Sequence, residues 1–201
     1  MRFGIDVSEH QNGLSLVAAA GEGVEFVVIR TTDGTYRDRV FASHFADAQR
    51  AELAVEAYHY LRGPAEGTTI AEQVDSALAV LDGAEVPMWL DCETPAGLSL
   101  DDVSRAHSIF TNHGVPVAGI YTSPRWWRWR MWNADTRPFG ALWLASYGAD
   151  PAGAPRDVFP GGWPTKVGKQ QPAMWQFTSK ARVAGFTVDA NARVSPAPCF
   201  D

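Results

Sequence analysis

Apolar residues alternate with small or polar ones over residues 3–8, which puts Gly4, Asp6 and Ser8 on one face of a strand and Phe3, Ile5 and Val7 on the other. Residues 26–32, Phe-Val-Val-Ile-Arg-Thr-Thr, are instead a near-continuous β-branched run that suits a strand covered on both faces, as in a parallel sheet, and Asp33-Gly34 ends it. Phe41, Phe45 and Ala48 then recur at i, i+4 and i+7, one face of a helix, before residues 55–61 give a third strand. Thr69 and Glu72 have the spacing of a capping box, ahead of a helical stripe of Ile70, Val74, Ala77, Leu78 and Leu81 that stops at Gly83.

A fourth strand is expected at residues 87–93, Pro-Met-Trp-Leu-Asp-Cys-Glu. Its alternation places Trp89, Asp91 and Glu93 on one face, and Leu90 and Cys92 on the other. Ser99 can cap the next helix, striped by Leu100, Val103, His107 and Phe110 and closed by Gly114; His107 reads as a core histidine on that stripe. Residues 117–123 form a fifth strand, and Ser123-Pro124 opens a short helix carrying interleaved Arg and Trp up to Trp132, read as an amphipathic cover over the sheet.

After a sixth strand at 141–148 the rhythm breaks. Residues 149–172 are rich in Pro and Gly without a helical stripe and read as a long surface loop. Residues 173–179 and 186–191 are two further strands, joined through 180–185 as an antiparallel hairpin. Eight strands, with convincing helices in the first five units, predict an α/β fold: an incomplete TIM-like barrel of five β/α units followed by three strands with few helices. A complete barrel of this type needs about 250 residues, more than the 201 here. An open doubly wound sheet is the alternative, but no glycine-rich phosphate loop follows the first strand.

Composition narrows the function. With 46% hydrophobic and 20% charged residues, the 201-residue chain reads as a single globular domain, and its formal charge of −6 argues against nucleic acid or an anionic membrane as the main partner. No apolar run reaches the length of a membrane span and no export signal is recognisable. Cys92 and Cys199 are too few for a disulfide framework and are expected as free thiols; Pro196 and Pro198 would suit the start of a linker. The 8 tryptophans hint at sugar stacking, although core packing is their commoner use.

The candidate chemistry lies with four acids. In a barrel the C-terminal strand ends share one mouth, where Asp6, Asp91, Glu93 and Asp189 converge from opposite walls. Burying unpaired carboxylates is costly, and neighbouring residues supply no cation. Paired carboxylates suit glycoside hydrolysis, in which crowding and burial keep one protonated as general acid; Glu93, nearest the strand end, is the candidate. The i, i+2 spacing leaves retaining and inverting geometries both open. A metal-dependent hydrolase using the acid cluster is one rival, with Arg30 the available phosphate contact. A non-catalytic glycan-binding barrel is another.

Seven motifs in order, Gly4–Gln11, Tyr58-His59-Tyr60, Trp89–Glu93, Ile120-Tyr121, Leu142–Tyr147, Trp175-Gln176 and Val188–Asn191, resemble those of the family 25 glycoside hydrolases. The resemblance implies a lysozyme that cleaves the β-1,4 bond after N-acetylmuramic acid in peptidoglycan, needs no cofactor or metal, and acts on glycan strands at the bacterial cell wall. A monomer is expected. Carried over by position, it implies Glu93 as general acid and Asp6, Asp91 and Asp189 completing the site. Asp91 would orient the substrate's 2-acetamido group as internal nucleophile, although a direct enzyme nucleophile is also considered in the family. It further implies substrate contacts at Tyr58, Tyr121, Tyr147, Trp175 and Asp33. The chain departs from the family at Arg30–Gly34, where Lys, a small residue and then Glu often precede the glycine.

Overall fold

A computed structural model describes residues 1–194. The expectations for Cys199, Pro196 and Pro198 therefore fall outside the described residues.

Strands β1 (Arg2–Val7), β2 (Phe26–Asp33), β4 (Ala54–Tyr60), β5 (Met88–Asp91), β6 (Val117–Thr122), β7 (Ala141–Ala145) and β8 (Met174–Val183) pair in parallel order, and β9 (Phe186–Arg193) inserts antiparallel between β8 and β1. The β1–β2 pairing closes the eight strands into a barrel, and the two-residue β3 (Tyr36–Arg37) hangs from β2 outside that ring. Helices α1 (Leu16–Gly21), α2 (Phe41–Arg50), α3 (Ile70–Leu81), α4 (Leu100–Asn112) and α5 (Pro124–Arg130) complete five β/α units. The last three strands have only α6 (Pro155–Val158), a single turn, among them.

The helix starts follow the capping chemistry read from the chain. Thr69 Oγ1 accepts from Glu72 N at 3.2 Å while the Glu72 carboxylate takes the Thr69 N–H at 2.8 Å, satisfying donors at the α3 terminus that the helix itself leaves unpaired. Ser99 and Asp102 do the same for α4, and Ser123 caps α5 ahead of Pro124. Alternation along the strands divides the core in two. Outward side chains such as Ile5, Val27, Ile29, Leu90 and Cys92 pack under the helices, whereas Phe26, Val28, Trp89, Tyr121 and Trp143 fill the barrel.

Four local expectations change. α1 was not anticipated, because six residues are too few to display a stripe; its N-terminus is marked only by Ser15, whose Oγ accepts from Ala18 N at 3.2 Å. The loop at 149–172 contains α6. The turn expected over 180–185 shrinks to Ala184-Gly185, both with positive φ (50° and 81°), as a two-residue hairpin with right-twisting strands requires. Finally, α5 and the turn after it cover the barrel through Trp126, Trp127 and Met131 and leave Trp129 and Trp132 in solvent.

Candidate active site

The acidic face of the fourth barrel strand is divided between strand and loop. Asp91 is the last residue of β5, buried and directed into the barrel; Glu93 lies just past the strand end, half-buried at the mouth. The loop that carries Glu93 is anchored from the next wall. Glu66 Oε1 accepts from Thr94 Oγ1 at 2.5 Å and from Gly63 N at 3.0 Å, while its Oε2 takes Arg62 Nη1 at 2.8 Å. Gly63 is required there, since a Cβ would lie 1.9 Å from the Ala96 carbonyl oxygen of the same loop.

Asp6 and Asp189 are cross-strand partners in the β1–β9 ladder, so two carboxylates face each other directly, an unfavourable pairing in any sheet. β9 runs antiparallel, which brings its N-terminal half to the mouth and with it Asp189. Asp6 Oδ2 accepts two hydrogen bonds, from Gln176 Nε2 at 2.8 Å and Asn191 Nδ2 at 2.7 Å. Neither amide can turn away. Gln176 Oε1 is engaged by the hydroxyls of Tyr121 and Tyr147, each at 2.7 Å, and Asn191 Oδ1 by the donor-only indole of Trp143 at 2.8 Å. Five side chains from β6, β7, β8, β9 and the turn after β7 thus lock the one carboxylate that β1 supplies. Gln176 and Asn191 stand in two of the seven motifs but are given no role from sequence, although Asn191 shares the inward face of β9 with Asp189 by simple alternation.

Every one of the four acids resists ionisation. Burial is the leading cause throughout. For Asp91, charge on Glu93 and Asp6 adds to it; for Asp6, charge on Asp189 does so, against the two amide hydrogen bonds that favour the carboxylate. Glu93 is raised by burial and then by Asp189, and Asp189 is raised to about 6 by burial and then by Asp150. Asp91 Oδ1 is buried and has no hydrogen-bond partner among the described residues. The Arg30 charge relieves the crowd only in part, lowering Asp91 against the larger effects of burial and neighbouring acids. Arg30, the phosphate contact considered from sequence, is itself held by Asp38 (Nε to Oδ2, 2.9 Å) and Glu9 (Nη2 to Oε1, 3.1 Å). Among the described residues, no three His, Cys, Asp or Glu side chains stand close enough together to hold a metal ion.

The aromatic residues expected around the acids divide into two groups. Tyr58, Tyr121 and Tyr147 belong to the inner cluster, with Tyr121 4.4 Å and Tyr58 6.3 Å from the Trp143 ring centre. Trp175 does not join them. Because Gln176 points inward, its neighbour must point outward, and Trp175 packs among Phe159, Trp163 and Phe177 with its indole donating to the Ser146 carbonyl oxygen at 2.8 Å. Asp33 is at the rim, held by both oxygens to Arg62 at 2.6 and 2.9 Å, and Arg62 stacks over Tyr60 at 4.7 Å. His107 is half-buried against Phe139, as its place on the α4 stripe implied.

Both the sequence and the fold that carries this site are matched by known proteins. Residues 5–186 fit the family model described as glycosyl hydrolases family 25. The chain is 29% identical to Lysozyme M1 of Streptomyces globisporus over 206 residues, covering 94% of this chain and 65% of that protein. It is 31% identical to the N,O-diacetylmuramidase of Chalaropsis sp, covering 80% and 83% of the two chains. The crystal structure of the bacterial lysozyme from Streptomyces coelicolor superposes with a TM-score of 0.81 at 25% identity, over 98% of this chain and 93% of that one.

Proposed function

Since this chain belongs to glycosyl hydrolase family 25, we propose that it is a muramidase, hydrolysing the β-1,4 bond between N-acetylmuramic acid and N-acetylglucosamine in the peptidoglycan of bacterial cell walls. The observation that carries this reading is the pair Glu93 and Asp91: two nearby carboxyls of unequal exposure, both held toward the protonated state, neither in an ion pair among the described residues.

Glu93 is the general acid. Its burial and the charge of Asp189 raise its pKa and favour the protonated form a general acid needs, and its place beyond the strand end lets it reach the glycosidic oxygen of a strand lying across the mouth. Asp91 sits deeper, with an oxygen free to accept one hydrogen bond. An acetamido N–H satisfies it and turns the acetamido oxygen toward the anomeric carbon. As Glu93 gives its proton to the leaving sugar, that oxygen bonds to the anomeric carbon and the glycosidic bond breaks. The Glu93 carboxylate then takes a proton from water, which opens the ring intermediate and restores the acid. Asp189, with a pKa of about 6, supplies negative potential at neutral pH beside the positively charged transition state, and Asp6, held by Gln176 and Asn191, completes the same wall. Tyr58 and Tyr147 flank the sugar.

Glu93→Gln tests the assignment. The variant should fold with a melting temperature no lower than that of the wild type and lose at least about 100-fold in the rate of clearing a peptidoglycan suspension, the usual worth of a general acid. Clearing at the wild-type rate would refute the role given to Glu93.

A further inference from the structure

Four of the 8 tryptophans lie between residues 126 and 132, and Arg125, Arg128 and Arg130 are interleaved with them. The proposed chemistry uses none of these residues. Trp127 is fully buried and secures the helix, its indole donating to the Ala134 carbonyl oxygen at 2.8 Å. Trp126 is half-buried against the core, whereas Trp129 is 79% and Trp132 90% exposed. Three arginines in six residues have no ion-pair partner among the described residues, in a chain whose net charge is −6. Trp132 also holds a left-handed backbone, φ 52°, an uncommon state for a bulky side chain.

Arg125, Trp126, Trp129 and Arg130 line a surface cavity of about 550 Å³, with Ser123 at its inner end. Helical spacing sets Trp129 beside both Arg125 (i−4) and Trp126 (i−3). The cavity joins the catalytic loop directly, because Trp126 Nε1 donates to the carbonyl oxygen of Thr94, the residue after Glu93, at 2.9 Å. Trp129 is three residues further along the helix, about 4.5 Å of rise, so the patch lies within one or two sugar rings of the proposed acid.

We propose that this face of α5 is a second binding site for the same substrate, gripping the acidic stem peptide of the glycan strand next to the bond that is cut. The proposal rests on the muramidase reading. Exposed indoles offer a stacking face to a sugar or peptide plane, and unpaired guanidiniums bind carboxylates in a two-pronged geometry. Stem peptides, attached through the lactyl group of muramic acid, present such carboxylates along the strand. The acidic mouth would repel them. A cationic edge beside it draws the peptides aside and leaves the neutral sugar backbone over Glu93 and Asp91.

The test is sedimentation binding with two chains silenced by Glu93→Gln, one of them also carrying Trp129→Ala, Arg125→Gln and Arg130→Gln, all at exposed or cavity-lining positions. The probes are sacculi before and after wall polymers are stripped by acid, the stripped sacculi freed of stem peptides by an amidase, and vesicles of anionic phospholipid. The triple substitution should weaken binding to stripped sacculi about tenfold and leave binding to peptide-free glycan unchanged. Equal binding of the two chains to stripped sacculi would overturn the proposal. So would a loss that persists on peptide-free glycan, one seen only before the wall polymers are removed, or one seen only with vesicles. Binding is read without catalysis, so failure of the muramidase reading shows separately, as no reducing ends released from sacculi by the unsubstituted chain.

Discussion

The two ends of the barrel interior treat buried charge in opposite ways. At the floor, Glu56 and Arg193 form a pair at 2.6 Å, the Trp89 indole donates to the other Glu56 oxygen at 2.7 Å, and the Arg193 guanidinium lies 3.8 Å over the Phe26 ring. Both side chains are almost wholly removed from water and their charges cancel. At the mouth, Asp6, Asp91, Glu93 and Asp189 crowd together with no ion-pair partner among the described residues, and each is held toward its protonated form. One end is arranged for stability; the other stores unfavourable electrostatics where a reaction can use them.

The sharpest way to break this contrast is at the floor. Arg193→Leu strands the Glu56 carboxylate in the barrel and should destabilise the fold by about 3–5 kcal/mol. Denaturant unfolding checks it, and activity per folded molecule should survive. A loss under about 1 kcal/mol would mean that the pair carries little, as exposed pairs do.

At the mouth the sign reverses. Asp91→Asn removes a buried like charge and should stabilise the protein by about 1–2 kcal/mol while lowering turnover, the usual trade between stability and function. Thermal melts read beside a reducing-end assay check both halves, and a variant less stable than wild type would contradict the account.

The mouth should also give stability an acid-side slope. The folded Asp189 pKa of about 6 lies above its ordinary 3.8, so its protonated form favours the native state: that contribution is complete below 3.8 and is lost as pH rises through about 6. Melting temperature should therefore rise as pH falls from 7 to 5, and Asp189→Asn should flatten the rise. Activity should decline on the alkaline side as Glu93, also raised, loses its proton.

The smallest effect is expected outside the barrel. Trp175→Phe trims a ring packed against Phe159 and Phe177 and loses one hydrogen bond to Ser146, costing about 1–2 kcal/mol. KM for peptidoglycan should not move. A large rise in KM would return Trp175 to the groove, where family resemblance first put it.

What the chain made legible depended on periodicity. Asp6 and Asp91 could be oriented because their strands alternate cleanly, and α3 and α4 could be started at a residue because Thr69 and Ser99 carry their own capping partners. α1 was hidden because Leu16–Gly21 is shorter than two turns. The misplacement of Trp175 was avoidable from the same alternation that turns Gln176 inward. Other features had no local signal. Residues 137 and 170 positions apart join Glu56 to Arg193 and Asp6 to Gln176, and only barrel closure brings them together.

The most direct test of the central claim is mass spectrometry of the fragments released when the unsubstituted protein digests purified sacculi. The account predicts glycan fragments ending in reducing N-acetylmuramic acid. Fragments ending in reducing N-acetylglucosamine, or peptides released from an uncut glycan, would contradict it.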